Sequence, residues 1–369
     1  MAGIYIHIPF CRKKCHYCNF HFTTSLYYKD DLVKALANEI SLQKDYLQNE
    51  KVETIYFGGG TPSLLNSEEV VLILNQVRRY FEVTANPEVT LETNPDDITE
   101  EKIIAWKEAG INRLSIGIQS FFEEDLQWMN RAHNAQQAKE SLRLAKKHFD
   151  NITIDLIYGT PGLTNEKWKQ NVETAIELNI PHLSCYALTV EPKTPLDKLI
   201  RQKKKEEVNP DKQSEQFLLL MEWMEKAGYE HYEISNFALP GWRSRHNSSY
   251  WSGKHYLGIG PSAHSFNGTT RQWNIANNNL YIESVQAGKV PFEKEQLTST
   301  QQLNEYIMTA LRTSEGIDVN KLNKVEADSI LQKSKRYLEA ALIKQENHHL
   351  ILTREGKLLA DGIAAALFF

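Results

Sequence analysis

The chain has 369 residues, 41% apolar and 24% charged, with a net charge of −5, a make-up that predicts an ordinary soluble protein of two or three domains. The acidic balance and the lack of a basic stripe argue against a nucleic-acid footprint, and no stretch approaches the ~20 apolar residues of a membrane helix. Four cysteines with three of them clustered, and no basic region ahead of the short N-terminal apolar run, predict neither a disulfide framework nor a secretory signal, so the expected compartment is the reducing cytoplasm.

The first predicted element is the apolar run Ile4–Phe10, a strand broken at Pro9. Cys11, Cys15 and Cys18 follow at once, spaced Cys-x3-Cys-x2-Cys. Three thiolates on one short loop can converge on a single inorganic centre. An iron–sulfur cubane normally takes four cysteines, so a three-cysteine loop points to a cluster whose fourth iron is open to an outside ligand. The rival is a zinc site completed by His16 or His21, although zinc knuckles usually draw ligand pairs from two loops and no second pair is present.

From Lys29 onward the pattern alternates. Helical periodicity over 29–47 precedes a strand and turn, Thr54-Ile55-Tyr56-Phe57-Gly58-Gly59-Gly60-Thr61-Pro62. Ser67 is the expected cap of a helix to Tyr80. Strands are predicted over 88–93, 113–118, 152–158 and 182–188, with helices over 98–108, 135–148 and 166–178 between them. Six strands alternating with helices imply parallel βαβ units, too few for a closed eightfold barrel, so an open, partial (β/α)6 barrel is the expected fold.

Beyond Glu191 the rhythm breaks. Pro192, Pro195 and the charged run 201–211 predict an irregular excursion, followed by a helix over 214–227 that stops at Gly228. The stretch 232–281, rich in aromatics, Gly and Asn, predicts long loops with short strands. A final stretch of helices and a β pair around the turn 346–349 predicts a small winged-helix module that serves packing or interaction. Three domains are expected: a core over 1–235, an aromatic-rich connecting segment over 236–292 and a C-terminal domain over 293–369.

In such barrels the site lies at the carboxyl ends of the strands. Those ends carry the cysteines, the glycine run, Glu92 with Asn94, Gln119 and Asp155. Glycines let backbone amides approach a ligand closely. Each polar residue alone is equally well a satisfied buried group. The set of them marks a site.

These motifs resemble the radical S-adenosylmethionine (SAM) superfamily. Tyr5–Cys11, Phe57–Pro62, Gly117–Phe121 and Ile154–Gly159 are similar to its coproporphyrinogen III oxidase-like branch, and most of all to its HemW-type haem chaperones. The resemblance implies a partial radical-SAM barrel with Cys11, Cys15 and Cys18 holding a 4Fe–4S cluster. It implies SAM contacts from Tyr5, Gly59, Gly60, Thr61, Glu92, Gln119, Arg131, Asp155 and Ala187, Arg131 being otherwise readable as the start of a helix.

The decarboxylating oxidase of the branch has a further cysteine two places after the third, where this chain has Phe20. It also has an N-terminal lid for which the ten residues ahead of Cys11 leave no room. Both features favour a carrier that binds haem and passes it to an acceptor protein, with at most peripheral membrane contact through that acceptor. Radical decarboxylation of coproporphyrinogen propionates is the alternative. The motif His246-Asn247-Ser248-Ser249-Tyr250-Trp251 makes His246 the candidate axial ligand of haem, walled by Tyr250, Trp251 and Tyr256; equally, His246 seals the barrel mouth through hydrogen bonds. His255 and His264 are lesser candidates, and Cys185, alone in an apolar strand, is expected to be a small core residue.

Overall fold

The computed structural model describes residues 1–369. Six strands, β1 (Ala2–Ile8), β2 (Val52–Gly59), β3 (Val83–Thr93), β4 (Arg113–Gln119), β5 (Ile152–Tyr158) and β6 (His182–Ala187), hydrogen-bond in chain order and all parallel. Helices return the chain between them, as the alternation predicts.

The strands themselves alternate with period two. Ile4, Ile6, Ile8, Ile55, Phe57, Leu91, Leu114, Ile116, Ile154, Leu156 and Cys185 point to one face and join the helices in a single core cluster. The opposite face carries Tyr5, Tyr56, Glu92, Ser115, Asp155 and Tyr186. A parallel sheet covered by helices on both faces reads as unbroken apolar runs. Here the second face is concave, polar and partly open, which is why the alternation survives in the sequence.

Local chemistry sets the element ends. The helix Ser67–Tyr80 is capped by Asn66, whose side chain accepts from the Glu69 amide in a reciprocal capping box; Ser67 is its first residue and not the cap. Gly110, with φ +101°, ends the helix Glu100–Ala109 in the left-handed conformation that favours glycine.

Past β6 the expected short strands are present, and they join the barrel sheet. β7 (Glu230–Glu233) and β8 (Asn236–Ala238) extend the β6 side antiparallel. β9 (Tyr256–Ile259) pairs parallel with β1, and β10 (His264–Phe266), β11 (Thr270–Asn274) and β12 (Phe292–Gln296) continue from it, giving a 12-stranded sheet. The segment 236–292 is thus built into the barrel sheet. Its short, glycine-interrupted strands carry too little periodicity to reveal which strands they pair with. The proline-rich stretch likewise holds a helix, Pro195–Arg201, capped by Thr194.

The C-terminal module has its own core around Ile307, Leu311, Ile330, Leu350 and Ile363. It joins three helices to a three-stranded sheet of β13 (Ile317–Asp318), β14 (Ile343–Glu346) and β15 (His349–Leu352) in the order β13-β15-β14. No helix in the chain is long and apolar enough to cross a membrane.

Candidate functional site

A cavity of about 420 Å3 opens at the carboxyl ends of the parallel strands, within the range of about 300–1,000 Å3 usual for small-molecule sites. Cys11, Cys15, Cys18, Gly59, Gly60, Thr61, Glu92, Gln119, Arg131, Asp155 and Ala187 all line it. Tyr5 does not. Its ring stacks on Tyr56 at 6.1 Å, and its hydroxyl faces His7 Nδ1 at 3.1 Å, one layer behind the wall.

The cysteine loop is stapled from three sides. Cys11 N–H donates to the Thr23 carbonyl, His16 N–H to that of Met129 and Leu196 N–H to that of His16. The thiols are free. His16 Nδ1 is hydrogen-bonded to the Trp128 carbonyl and His21 Nε2 to Asn278.

The glycine turn also has a packing role. The amides of Gly59, Gly60 and Thr61 donate to Glu92, to the Ile8 carbonyl and to the Phe10 carbonyl. A Cβ on Gly60 would sit 2.6 Å from the Phe10 oxygen. The missing side chain lets the turn pack directly against the strand that feeds the cysteines.

Arg131, readable from the sequence as a mere helix start, lies at the centre. Its Nη1 is 3.3 Å from Cys15 Sγ, while Nη2 donates to Asn94 Oδ1 and to the Gly117 carbonyl, both at 2.7 Å. Asn94 in turn donates to Thr61 Oγ1 at 3.1 Å, and Thr61 to Cys11 Sγ at 3.5 Å. Arg131 Nε is buried without a partner. Tyr17 and Tyr186, which sequence reasoning passed over, also line the cavity; Tyr186 sits on the polar face of β6, the one signal that could have found it.

Electrostatics complete the fit. Burial pushes the Cys11 thiol up to about 11 and raises that of Cys18, so these two sulfurs rest protonated until a metal displaces the protons. Burial also lifts Glu92 to about 7 and Asp155 to about 6; neither carboxylate is in a salt bridge. Gln119 holds φ +67°, a left-handed conformation costly to a non-glycine residue, which turns its side chain into the cavity at the end of β4. Three thiols beside a guanidinium fit an iron–sulfur cluster, and unpaired buried carboxylates fit a ligand with a cationic sulfonium, an ammonium and ribose hydroxyls. Bound there, a reduced cluster and SAM would supply one-electron chemistry; the chain's own residues position, neutralise and shield them.

His246 lies apart from this cavity. It is 1% exposed and lies at the amino ends of the strands, away from the cavity. Nδ1 faces Thr54 Oγ1 at 2.7 Å, Nε2 faces the Tyr250 hydroxyl at 2.8 Å, and the Glu88 carboxylate accepts the amides of Arg245 and His246. With both ring nitrogens hydrogen-bonded to hydroxyls, it packs as a seal of the barrel floor, the second of the two readings its sequence context offers. His255 is tied to Glu50, while His264, stacked on Trp273, lies outside the cavity. Cys185 is 1% exposed in the core, as expected.

The radical SAM superfamily pattern matches residues 5–175, and the HemN C-terminal domain pattern residues 297–359. The chain is 33% identical to the Bacillus subtilis protein named Heme chaperone HemW, over 99% of each chain. It is 38% identical to the Escherichia coli protein of that name, over 71% of this chain and 69% of the relative. Among solved structures, Escherichia coli coproporphyrinogen III oxidase, a radical SAM enzyme, superposes with a TM-score of 0.85 at 23% identity, over 100% of this chain and 90% of the other, which establishes the shared fold.

Proposed function

Because the chain belongs to the HemW family of haem chaperones within the radical SAM superfamily, we propose that it binds haem and hands it to an acceptor protein. The observation that carries this reading is the similarity to a haem chaperone over 99% of both chains. Membership in the superfamily implies a 4Fe–4S cluster and SAM. In our reading Cys11, Cys15 and Cys18 hold the cluster, with Arg131 neutralising the thiolates. Gly59, Gly60, Thr61, Glu92, Gln119, Asp155 and Ala187 surround SAM, and Tyr5 buttresses Tyr56 behind Glu92. Phe20, 67% exposed on the cavity rim, stands where the decarboxylating branch has its further cysteine, which supports a carrier over an oxidase. Cytoplasmic residence is part of the same proposal.

The test is made on anaerobically reconstituted protein. Ferric haem is added to one portion, and SAM, reductant and coproporphyrinogen III to another. A saturable Soret band without protoporphyrinogen formation is the expected result, and steady decarboxylation would overturn it.

A further inference from the structure

A second cavity, of about 780 Å3, lies between the β9–β11 edge of the sheet and the C-terminal module. Its barrel wall is aromatic, formed by Tyr250, Trp251, Tyr256 and Phe266, and Tyr306 faces them from the helix Ser299–Leu311. On the far side His349, at the start of β15, points its Nδ1 at the Glu315 carbonyl oxygen at 2.8 Å. A carbonyl only accepts, so Nδ1 carries the proton and the neutral ring has its lone pair on Nε2. Nε2 has no hydrogen-bond partner in the protein. A backbone carbonyl that orients the ring and leaves the other nitrogen bare is the support usually found behind a metal-binding imidazole.

Three cations, Arg243, Arg271 and Lys321, and three carboxylates, Glu305, Glu315 and Asp318, line the cavity, and both arginines are ion-paired. Lys321 lines the cavity with no carboxylate within salt-bridge distance, its Nζ 5.8 Å from the Tyr306 ring centroid. Arg271 is held at one end by Glu305, while its Nε is buried without a partner. Haem asks for these three things together: flat apolar walls, an imidazole for the iron and a cation for a propionate.

We propose that this cavity is the seat of the haem cargo, with His349 Nε2 as axial ligand and Lys321, the one cation of the lining without an ion-pair partner, facing a propionate. The proposal rests on the haem-carrier reading and assigns its cargo a site separate from the cysteine-lined cavity. Tyr250 and Trp251 of the His-Asn-x-x-Tyr-Trp stretch then supply wall, and His246 behind them supplies none of the ligation.

The full chain is titrated with ferric haem and, in parallel, with iron-free protoporphyrin IX. His349→Ala, on a half-exposed strand end, is expected to keep the thermal midpoint, shift the Soret band and weaken haem binding at least about tenfold, with protoporphyrin binding unchanged. Imidazole added to the variant is expected to restore the wild-type band. Lys321→Glu is expected to weaken both ligands alike. If the wild type binds haem while His349→Ala and Lys321→Glu bind it with wild-type affinity and spectrum, the site is overturned and the carrier reading stands. If the wild type shows no saturable haem binding, both fall.

Discussion

Tyr56 and His246 stack with ring centroids 4.9 Å apart and planes 23° from parallel, deep inside the barrel. On one side the Tyr56 hydroxyl donates to Glu92 Oε1 at 2.8 Å on the wall of the cysteine-lined cavity. On the other, His246 Nε2 meets the hydroxyl of Tyr250, a residue that lines the second cavity. The two cavities thus share one packed, hydrogen-bonded partition.

Tyr56→Phe keeps the stack and deletes the donor to Glu92. Burial lifts Glu92 to about 7, and the Tyr56 hydrogen bond pulls in the opposite direction, so the variant's carboxyl should titrate at higher pH still. The charged form is the better partner for a cationic or hydroxyl-bearing ligand, so affinity is lost as pH falls through the folded pKa. Calorimetry of SAM binding between pH 6 and 9 should therefore show the midpoint moving up in the variant. An unmoved midpoint would remove Glu92 from the SAM site.

Arg131→Met removes a guanidinium that serves Cys15, Asn94 and Gly117 at once. Leaving those acceptors buried without a donor costs about 1–3 kcal/mol each in the worst case, and the thiolates lose their nearby cation. Iron and acid-labile sulfide per chain after reconstitution should fall well below wild type. Arg131→Lys, a point charge without the fork, should recover part of the loss. Full cluster content in Arg131→Met would show that the guanidinium is not needed to hold it.

Much of the barrel was legible because one face of its strands meets helices and the other meets a polar hollow. Ile4, Ile6 and Ile8 against Tyr5 and His7 is a period-two pattern that needs no partner to be seen. Glu92, Gln119 and Asp155 were legible for the same reason, as polar residues at the ends of apolar strands. Arg131 was named only through the family resemblance, and its reach to Cys15 was not legible because it depends on a loop 116 residues away in sequence. The burial of His246 depends on Thr54, 192 positions distant, and a histidine beside Tyr and Trp looks the same in sequence whether it seals a floor or meets iron. The second cavity was invisible because strand edges, one helix and the C-terminal hairpin each contribute only a few of its residues.

Cys11→Ser, Cys15→Ser and Cys18→Ser should each yield protein without a stable cluster, because a hydroxyl is a far poorer iron ligand than a thiolate. Cys185→Ala should retain it, since that sulfur lies in the core on the helix-facing side of β6. The visible absorption of the reconstituted proteins reads this directly. A cluster lost from Cys185→Ala, or stoichiometric zinc without sulfide in the wild type, would show the ligand set to be wrong.

Gly60→Ala tests whether the glycine turn is a packing device. The added Cβ would meet the Phe10 and Ile8 carbonyl oxygens at 2.6 and 2.7 Å, backbone atoms that cannot swing aside. Overpacking of this kind costs about 1–3 kcal/mol, and displacement of Phe10 is passed directly to Cys11. Thermal stability and cluster content should fall together. Gly362→Ala, in the helix Ala360–Leu367 with open space around the new methyl, should be neutral or stabilising by up to about 1 kcal/mol. Equal effects at the two sites would contradict the packing role.

Glu39 gives the fold a pH dependence of its own. It is fully buried in the helix Lys29–Leu42 and accepts from the Gly260 amide at 2.7 Å, from Asn274 Nδ2 at 2.6 Å and from the Tyr281 hydroxyl, tying that helix to the sheet edge that carries β9 and β11. Burial outweighs these donors and lifts its carboxyl to about 7 from an ordinary 4.5. Because the folded value is raised, the folded state binds the proton more tightly than the unfolded one. Its contribution is fully present below about pH 4.5 and is lost as pH rises through about 7, a change on the order of 3 kcal/mol. Glu39→Gln keeps the shape and cannot ionise, so this component disappears. Urea unfolding at pH 5, 6, 7 and 8 should show the wild type's advantage over Glu39→Gln shrinking steadily as pH rises. A difference that stays constant across the series would mean that Glu39 is already ionised in the folded chain throughout, with its three donors holding the charge.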